Sequence, residues 1–278
     1  MSHHLVQVTD LTHAYPDGTE ALRRVTLTIT HGESVAIVGA NGAGKTTLLL
    51  HLIGVLAPTA GEVRVGDLPM TRKTLPQVRR AVGFVFQDPD DQLFMPTVYE
   101  DVAFGPLNLG LPPLEVDARV AEALSAVRAE HLRDRPPYRL SGGEKRAAAI
   151  ATVLAMHPDI LVMDEPTAGL DPHARRQLIG LLRTFQHTKV IATHDLDMAV
   201  DVCARTIVLG QGQVVADGPT LEIFADSDLL RRSDLEKPLR MQGCPVCGHR
   251  PEPPDEAARQ PPACGKTNGS LTDLEDIR

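Results

Sequence analysis

Apolar positions along this chain follow two regimes. Ser34–Val38, Ile160–Met163 and the run ending in Ile191-Ala192 are short, unbroken apolar stretches rich in β-branched residues, the pattern of strands buried on both faces of a sheet. Helical patterns follow at Thr46–Ile53 and from Glu144 to about Met156. Near the start, Leu5–Thr9 and Val25–Ile29 read as antiparallel strands, with Pro16-Asp17-Gly18-Thr19 as a turn between them. From about Gln87 to Pro137 the strand pattern gives way to helical periodicity, clearest over Leu114–Val127. Strands and helices then alternate again, through a turn at Gln211-Gly212-Gln213 between Thr206–Leu209 and Val214–Val215. No internal repeat is visible, so the pattern describes one unit rather than a fused pair.

Composition narrows this picture. With 278 residues, 42% of them hydrophobic, there is room for one α/β domain with an attached helical lobe and little else. A formal net charge of −8 argues against a broad nucleic-acid footprint. No apolar run reaches the roughly 18 residues that a membrane span needs. Met1-Ser2-His3-His4-Leu5 also lacks the basic start and long apolar run of a signal peptide.

Two strand ends carry chemistry. Gly39-Ala40-Asn41-Gly42-Ala43-Gly44-Lys45-Thr46 fits G-x-x-x-x-G-K-[ST] and lies between a strand pattern and a helix pattern, where a phosphate loop must lie. Its candidate ATP-binding residues are Gly39, Asn41, Gly42, Gly44, Lys45, Thr46 and Thr47. Glycines let the backbone point N–H groups at phosphate oxygens, and the helix N-terminus adds a favourable dipole. Lys45 is expected to reach the β- and γ-phosphates and the Thr46 hydroxyl to ligate Mg²⁺. The strand Ile160–Met163 delivers Asp164 and Glu165 at its carboxyl end. Asp164 is expected to hold Mg²⁺, and Glu165 to orient or deprotonate an attacking water. Two carboxylates could instead cap the helix after Pro166-Thr167, but that leaves the four preceding apolar residues unexplained. The expected fold is therefore α/β: a phosphate-loop NTPase core with a mixed, mainly parallel sheet, an antiparallel β subdomain and a helical subdomain.

Leu140-Ser141-Gly142-Gly143-Glu144 resembles the signature motif of the ATP-binding cassette family. The spacing agrees, because Ser141 to Asp164 and Asp164 to His194 each leave room for one helix plus one strand. In that family two cassettes pair head to tail with ATP between them. The resemblance thus implies that the signature residues Ser141, Gly142, Gly143 and Glu144 face ATP on a second ATPase subunit, identical or not, with Ser141 and Gly143 touching its γ-phosphate. The same residues also read as a capping box at a helix start, which is compatible, since the cap geometry exposes the N–H groups. By the same resemblance, Gln87 senses Mg²⁺ or water and couples the core to the helical lobe. His194 is the γ-phosphate switch, Asp171 supports the opposite site across the interface, and Tyr15 stacks on adenine. Glu144 stands where many members have glutamine, and Ala147-Ala148-Ala149 stands where longer residues are common.

Phe86–Phe94, Asp101–Leu111, Tyr15–Thr19 and Leu154–Pro158 further resemble the energy-coupling-factor importers, and within them the cobalt and nickel uptake ATPases. The similarity covers roughly residues 5–225. It implies ATP hydrolysis with Glu165 as general base and Gln87 and His194 beside it. It also implies a transmembrane coupling subunit, a substrate-specific membrane subunit, and a peripheral place on the cytoplasmic face of the membrane. Asp88, Asp90, Asp91 and Phe94 are expected near a socket for the membrane partner. Import of another micronutrient and a non-transport ATPase role are the alternatives. Repair and chromosome ATPases carry a long coiled coil between phosphate loop and signature, and the stretch from Lys45 to Ser141 has no sustained heptads.

The expected ATPase domain is 1–239, with its helical subdomain at about 88–145. The remainder, 240–278, is a Cys- and Pro-rich tail holding three of the four cysteines. Cys244, Cys247, His249 and Cys264 could form a Cys₃His site for Zn²⁺ or the transported metal. A disordered tail with reduced thiols is the other reading, because the surroundings hold too little apolar residue to fold unaided. Cys203 reads as a small core residue.

Overall fold

The computed structural model describes residues 4–242. One compact unit extends to Leu239, and a second begins at Arg240.

The N-terminal strands are longer than their apolar stretches suggest: β1 is His4–Ala14 and β2 is Glu20–Thr30. They pair antiparallel with several register shifts. Those irregularities break strict alternation, which is why only the middle of each strand is legible as pattern. With β4 (Ala60–Val65) and β5 (Leu68–Pro69) they form an antiparallel sheet in the order β2-β1-β4-β5.

The second sheet holds β3 (Ser34–Val38), β6 (Val82–Val85), β7 (Ile160–Asp164), β8 (Thr188–Ala192), β9 (Arg205–Gly210) and β10 (Gln213–Pro219), in the order β10-β9-β3-β8-β7-β6. All neighbours are parallel except β9 and β10, which form a hairpin. Every residue of β7 and β8 is buried, including Thr188, which accepts the Gly32 N–H, and Lys189, which donates to the Leu182 and Phe185 carbonyls. Helix α1 (Lys45–Leu52) contacts strands of both sheets, and six of its eight residues are buried. Leu48, Leu49 and Leu52 thus join Val8, Leu11 and Leu22 of one sheet to Ile37 and Val162 of the other in a single core.

A separate cluster lies among α3 (Val98–Asn108), α4 (Pro113–Ala126) and α5 (Gly142–Leu154). Val98, Val102, Val120, Leu124 and Leu132 pack there against Ala148, Ala149 and Ala151 of α5. The small residues after Arg146 let the other helices approach α5 closely. A short α2 (Leu75–Ala81) precedes β6, and α6 (Pro172–Thr184), α7 (Leu196–Val202), α8 (Thr220–Ala225) and α9 (Ser227–Arg232) complete the α-helices among the described residues. Cys203 is buried, and burial pushes its thiol up to about 12. Among the described residues no helix is long and apolar enough to cross a membrane.

Candidate functional site

Four parallel strands, β6, β3, β8 and β7, end on the same edge of the sheet, and each hands the chain to a residue singled out above. Ligands of open parallel sheets bind at that edge. Beyond β3, the loop 39–44 turns tightly into α1. Gly44 sits at φ 100° as the residue before the helix, and a Cβ there would lie 2.6 Å from the Ala21 carbonyl oxygen. A Cβ on Gly39 would approach the Leu209 carbonyl oxygen to 2.3 Å, so strand β9 leaves no space for a side chain. Lys45 is buried, and its ammonium donates to the carbonyls of Gly39 (2.8 Å) and Ala40 (3.2 Å), folding the side chain along the loop. Asn41 and Gly42 are exposed at the tip.

The ends of β3 and β7 meet in one hydrogen bond, from the Thr46 hydroxyl to Asp164 Oδ2 at 2.7 Å. Asp164 is 2% exposed, and its other oxygen, Oδ1, is buried with no hydrogen-bond partner. Burial raises its carboxyl above the usual range, opposed by the Thr46 bond and reinforced by the charge of Glu165. An orphaned anionic oxygen beside a hydroxyl is a pair of hard oxygen donors, the chemistry that Mg²⁺ selects. Gln87 follows β6 at this sheet edge with an exposed side chain.

Glu165 has φ +44°, a left-handed conformation uncommon for a residue with a side chain. Its N–H donates to the Ala192 carbonyl (2.9 Å), anchoring the turn on β8. The side chain then meets the end of that strand: Oε2 accepts the His194 backbone N–H at 3.0 Å and lies 2.7 Å from His194 Nδ1. Glu165 is buried and His194 exposed, so the carboxylate is held from the protein side while the imidazole opens outward. Asp195 caps α7 and takes a two-pronged ion pair from Arg175 of α6 (2.6 and 2.7 Å), which fixes the segment behind His194.

Tyr15 lies close to the phosphate loop helix, its hydroxyl 3.0 Å from Thr47 Oγ1. The signature residues open α5. Ser141 is the N-cap, Glu144 Oε2 accepts the Ser141 N–H at 2.8 Å, and the Glu144 N–H points back at Ser141 Oγ at 3.4 Å, completing a capping box. The Ser141 N–H and hydroxyl hold the Glu144 carboxyl below its usual range. Gly142 and Gly143 form the first turn, and a Cβ on Gly143 would lie 3.3 Å from that of Ala174. Asp171 caps α6, accepting the N–H groups of His173 (2.7 Å) and Ala174 (3.0 Å), which lower its pKa.

The expected acidic socket is partly occupied from within the chain. Asp88 caps a short turn by accepting the Asp90 N–H, and Asp90 is paired with Lys145 at 2.6 Å. Beside the exposed Asp91 an apolar surface stays open: Phe94 is 64% exposed and meets Phe104 edge-on, with Leu107 also exposed. Sequence reasoning missed Arg146. The residue is 3% exposed, and its guanidinium donates to the Phe86 and Gln87 carbonyls. The available signal was a charged residue on the buried i, i+3, i+4, i+7 stripe that Arg146, Ala149, Ile150 and Val153 form along α5. Cys244, Cys247, His249 and Cys264 lie outside the described residues.

Residues 22–168 match the family model described as ABC transporter. A putative ABC transporter ATP-binding protein of Geobacter sulfurreducens is 71% identical over 248 residues, which are 89% of this chain and all of that one. The energy-coupling factor transporter ATP-binding protein EcfA of Methanothermobacter thermautotrophicus is 47% identical over 255 residues, 87% of this chain and 82% of that one. Among solved structures, CbiO1 of Clostridium perfringens, part of the ABC transporter complex CbiONQ, superposes with a TM-score of 0.73 at 41% identity, covering 83% of this chain and 94% of that one. The cassette MJ0796, a dimer in a post-hydrolysis state with ADP and phosphate, gives 0.71 at 31% identity over 77% of this chain and 98% of that one. A phosphate loop bonded to an acidic strand end, a capped signature helix and these likenesses make the chain an ATP-hydrolysing member of the ABC transporter family, of the energy-coupling-factor, CbiO-like kind.

Proposed function

We propose that this chain is the ATP-hydrolysing subunit of an energy-coupling-factor importer for cobalt or nickel, held at the cytoplasmic face of the membrane by a transmembrane coupling subunit that also carries a substrate-specific membrane subunit. The observation that carries the hydrolytic part is the 2.7 Å bond between Thr46 and Asp164, which joins phosphate loop and acidic strand into one site. The likeness to CbiO1 and EcfA supports the transport part.

Lys45 is the cation that the β- and γ-phosphates of ATP would draw away from the Gly39 and Ala40 carbonyls. Thr46, Asp164 and Gln87 would hold Mg²⁺, which supplies charge neutralisation of the phosphate oxygens. Glu165, steadied by His194, takes the proton of the attacking water, and Tyr15 offers its ring to adenine. The N–H groups at the start of the helix that Ser141 caps serve ATP held by a second cassette, a reading supported by the likeness to the dimeric MJ0796 cassette. The exposed Phe94 and Phe104 pair, with Leu107 beside it, is the surface for the membrane partner, and Asp88 and Asp91 supply charge at its margin.

Glu165→Gln tests the reading as a whole. Removing a general base lowers the hydrolysis rate by about 10²–10⁴-fold while leaving ATP binding intact. Size-exclusion chromatography with light scattering should show dimers that persist only with ATP. Uptake of radiolabelled cobalt or nickel by cells carrying the membrane subunits should stop. Hydrolysis at the unaltered rate would exclude Glu165 as the base, and uptake unaffected by the variant would exclude this chain as the motor.

A further inference from the structure

Gln87 sits at a joint between two rigid elements. On one side it continues β6, the edge strand of the parallel sheet, paired with β7. On the other, the segment 86–92 is laced to α5 at four residues. Arg146 donates from Nη1 to the Phe86 carbonyl (2.7 Å) and from Nη2 to the Gln87 carbonyl (2.6 Å). The Gln92 amide donates to the Ala149 carbonyl (2.7 Å) and Thr152 Oγ1 (2.6 Å), while its oxygen accepts the Phe86 N–H (3.2 Å). Lys145 closes the lattice on Asp90.

Arg146 is an expensive way to make such a contact. Its guanidinium is almost wholly buried, its Nε has no partner, and the two groups it binds are neutral carbonyls. The carboxylates whose charges reach it are Asp88 and Asp164. Burial of a cation without a paired carboxylate is unfavourable, so stability alone gives no reason for an arginine on this apolar stripe. Its planar fork presents N–H donors to two adjacent carbonyls in a fixed geometry, whereas a lysine ammonium on a flexible stem can reach two carbonyls without fixing their relative placement.

We propose that Arg146 is a positioning residue for hydrolysis, the strut by which the signature helix sets Gln87. The same helix that Ser141 caps, and whose first turn faces the partner's ATP, then carries the Phe86 and Gln87 carbonyls with it. A small displacement of α5 moves the Gln87 side chain relative to Asp164 and Thr46, so closure at one ATP site is felt at the other through this lattice, in which the Arg146 guanidinium holds the Gln87 carbonyl. This rests on the proposed role of Gln87 at Mg²⁺.

The test compares Arg146→Lys, Arg146→Gln, Gln87→Ala and the double variant Arg146→Lys/Gln87→Ala in the full chain. It reads the hydrolysis rate, the Mg²⁺ concentration at half-maximal activity, binding of a fluorescent ATP analogue in EDTA, and thermal melting. Arg146→Lys should keep Mg²⁺-free nucleotide binding within about two-fold yet raise half-saturating Mg²⁺ about ten-fold, because an ammonium keeps the charge but not the fixed fork that sets the two carbonyls side by side. Arg146→Gln should do so at least as strongly. The double variant should be no worse than Gln87→Ala alone, because the strut acts only through Gln87. A lowered melting point with wild-type Mg²⁺ dependence, or additive effects in the double variant, would overturn the proposal. If Gln87→Ala itself leaves Mg²⁺ dependence unchanged, the role given to Gln87 fails and the strut falls with it. A shift in Gln87→Ala without one in Arg146→Lys or Arg146→Gln removes the strut alone.

Discussion

At the scale of single residues, the site turns on oxygen atoms placed where water cannot compensate them. Asp164 Oδ1 is buried without a partner and its neighbour Oδ2 depends on the Thr46 hydroxyl. Thr46→Val should therefore raise half-saturating Mg²⁺ by about 10-fold or more, since a buried carboxylate loses its one donor, whereas Thr46→Ser should stay close to the native value. Steady-state hydrolysis across a Mg²⁺ series reads both, and equal behaviour of the two variants would show that the hydroxyl does not matter. Lys45, Thr46, Asp164, Glu165 and His194 were legible as letters because a backbone this tight, at strand ends this buried, restricts which residue types fit. Arg146 was not legible in that way. A lysine–arginine pair on a helix looks like a solvated face until the buried stripe shows which of the two points inward, and here Lys145 reaches Asp90 outside while Arg146 turns in.

At the scale of elements, the short apolar runs gave β3 and β7 almost to the residue, because those strands are covered on both faces, whereas only the end of β8 was legible, its first residues being the buried polar pair Thr188 and Lys189. The stretch 60–85 was silent for the opposite reason. It holds short pieces, β4, β5, α2 and β6, broken by glycines that answer to distant neighbours. Gly83 is one: a Cβ there would lie 2.3 Å from Val153 Cγ1 of α5. Helix α1 hides a titratable group that its pattern also does not announce. His51 is fully buried, donates from Nδ1 to the Thr47 carbonyl at 2.7 Å, and lies edge-on to His13 with ring centroids 4.7 Å apart. Burial holds its pKa below the ordinary 6.5, the Thr47 bond opposes this, and the nearby His13 lowers it further. The folded protein then binds fewer protons than the unfolded chain. The stability that His51 contributes is complete above pH of about 6.5 and is lost as pH falls below it, by at most about 1.4 kcal/mol per pH unit. Urea unfolding between pH 7.5 and 5 should show this decline, and His51→Leu should flatten it. Parallel pH profiles for the two proteins would place the sensitivity elsewhere.

At the scale of the whole molecule, the question is where the second half of each site comes from. The phosphate loop opens α1 and the signature opens α5, two helices that start at separate places in the chain, and the MJ0796 cassette is known as a dimer. If the two halves are completed in trans, lesions in different halves must complement one another. A chain with Lys45→Ala lacks the phosphate cation but keeps Ser141. A chain with Ser141→Arg blocks the signature but keeps Lys45. Either variant alone builds dimers in which both composite sites are damaged, so hydrolysis should be near background. Mixed and allowed to exchange, half of the dimers are hybrids by random pairing, and each hybrid holds one intact site and one doubly damaged site. Hydrolysis should then recover to at most about a quarter of the native rate if the sites act independently, and to less if both must fire together. Thermal melting of the Ser141→Arg chain guards against loss of the α5 cap as the cause, since removing a serine cap costs about 1 kcal/mol. A site completed within one chain would give no recovery on mixing at any ratio, because neither chain would then contain a working pair of halves.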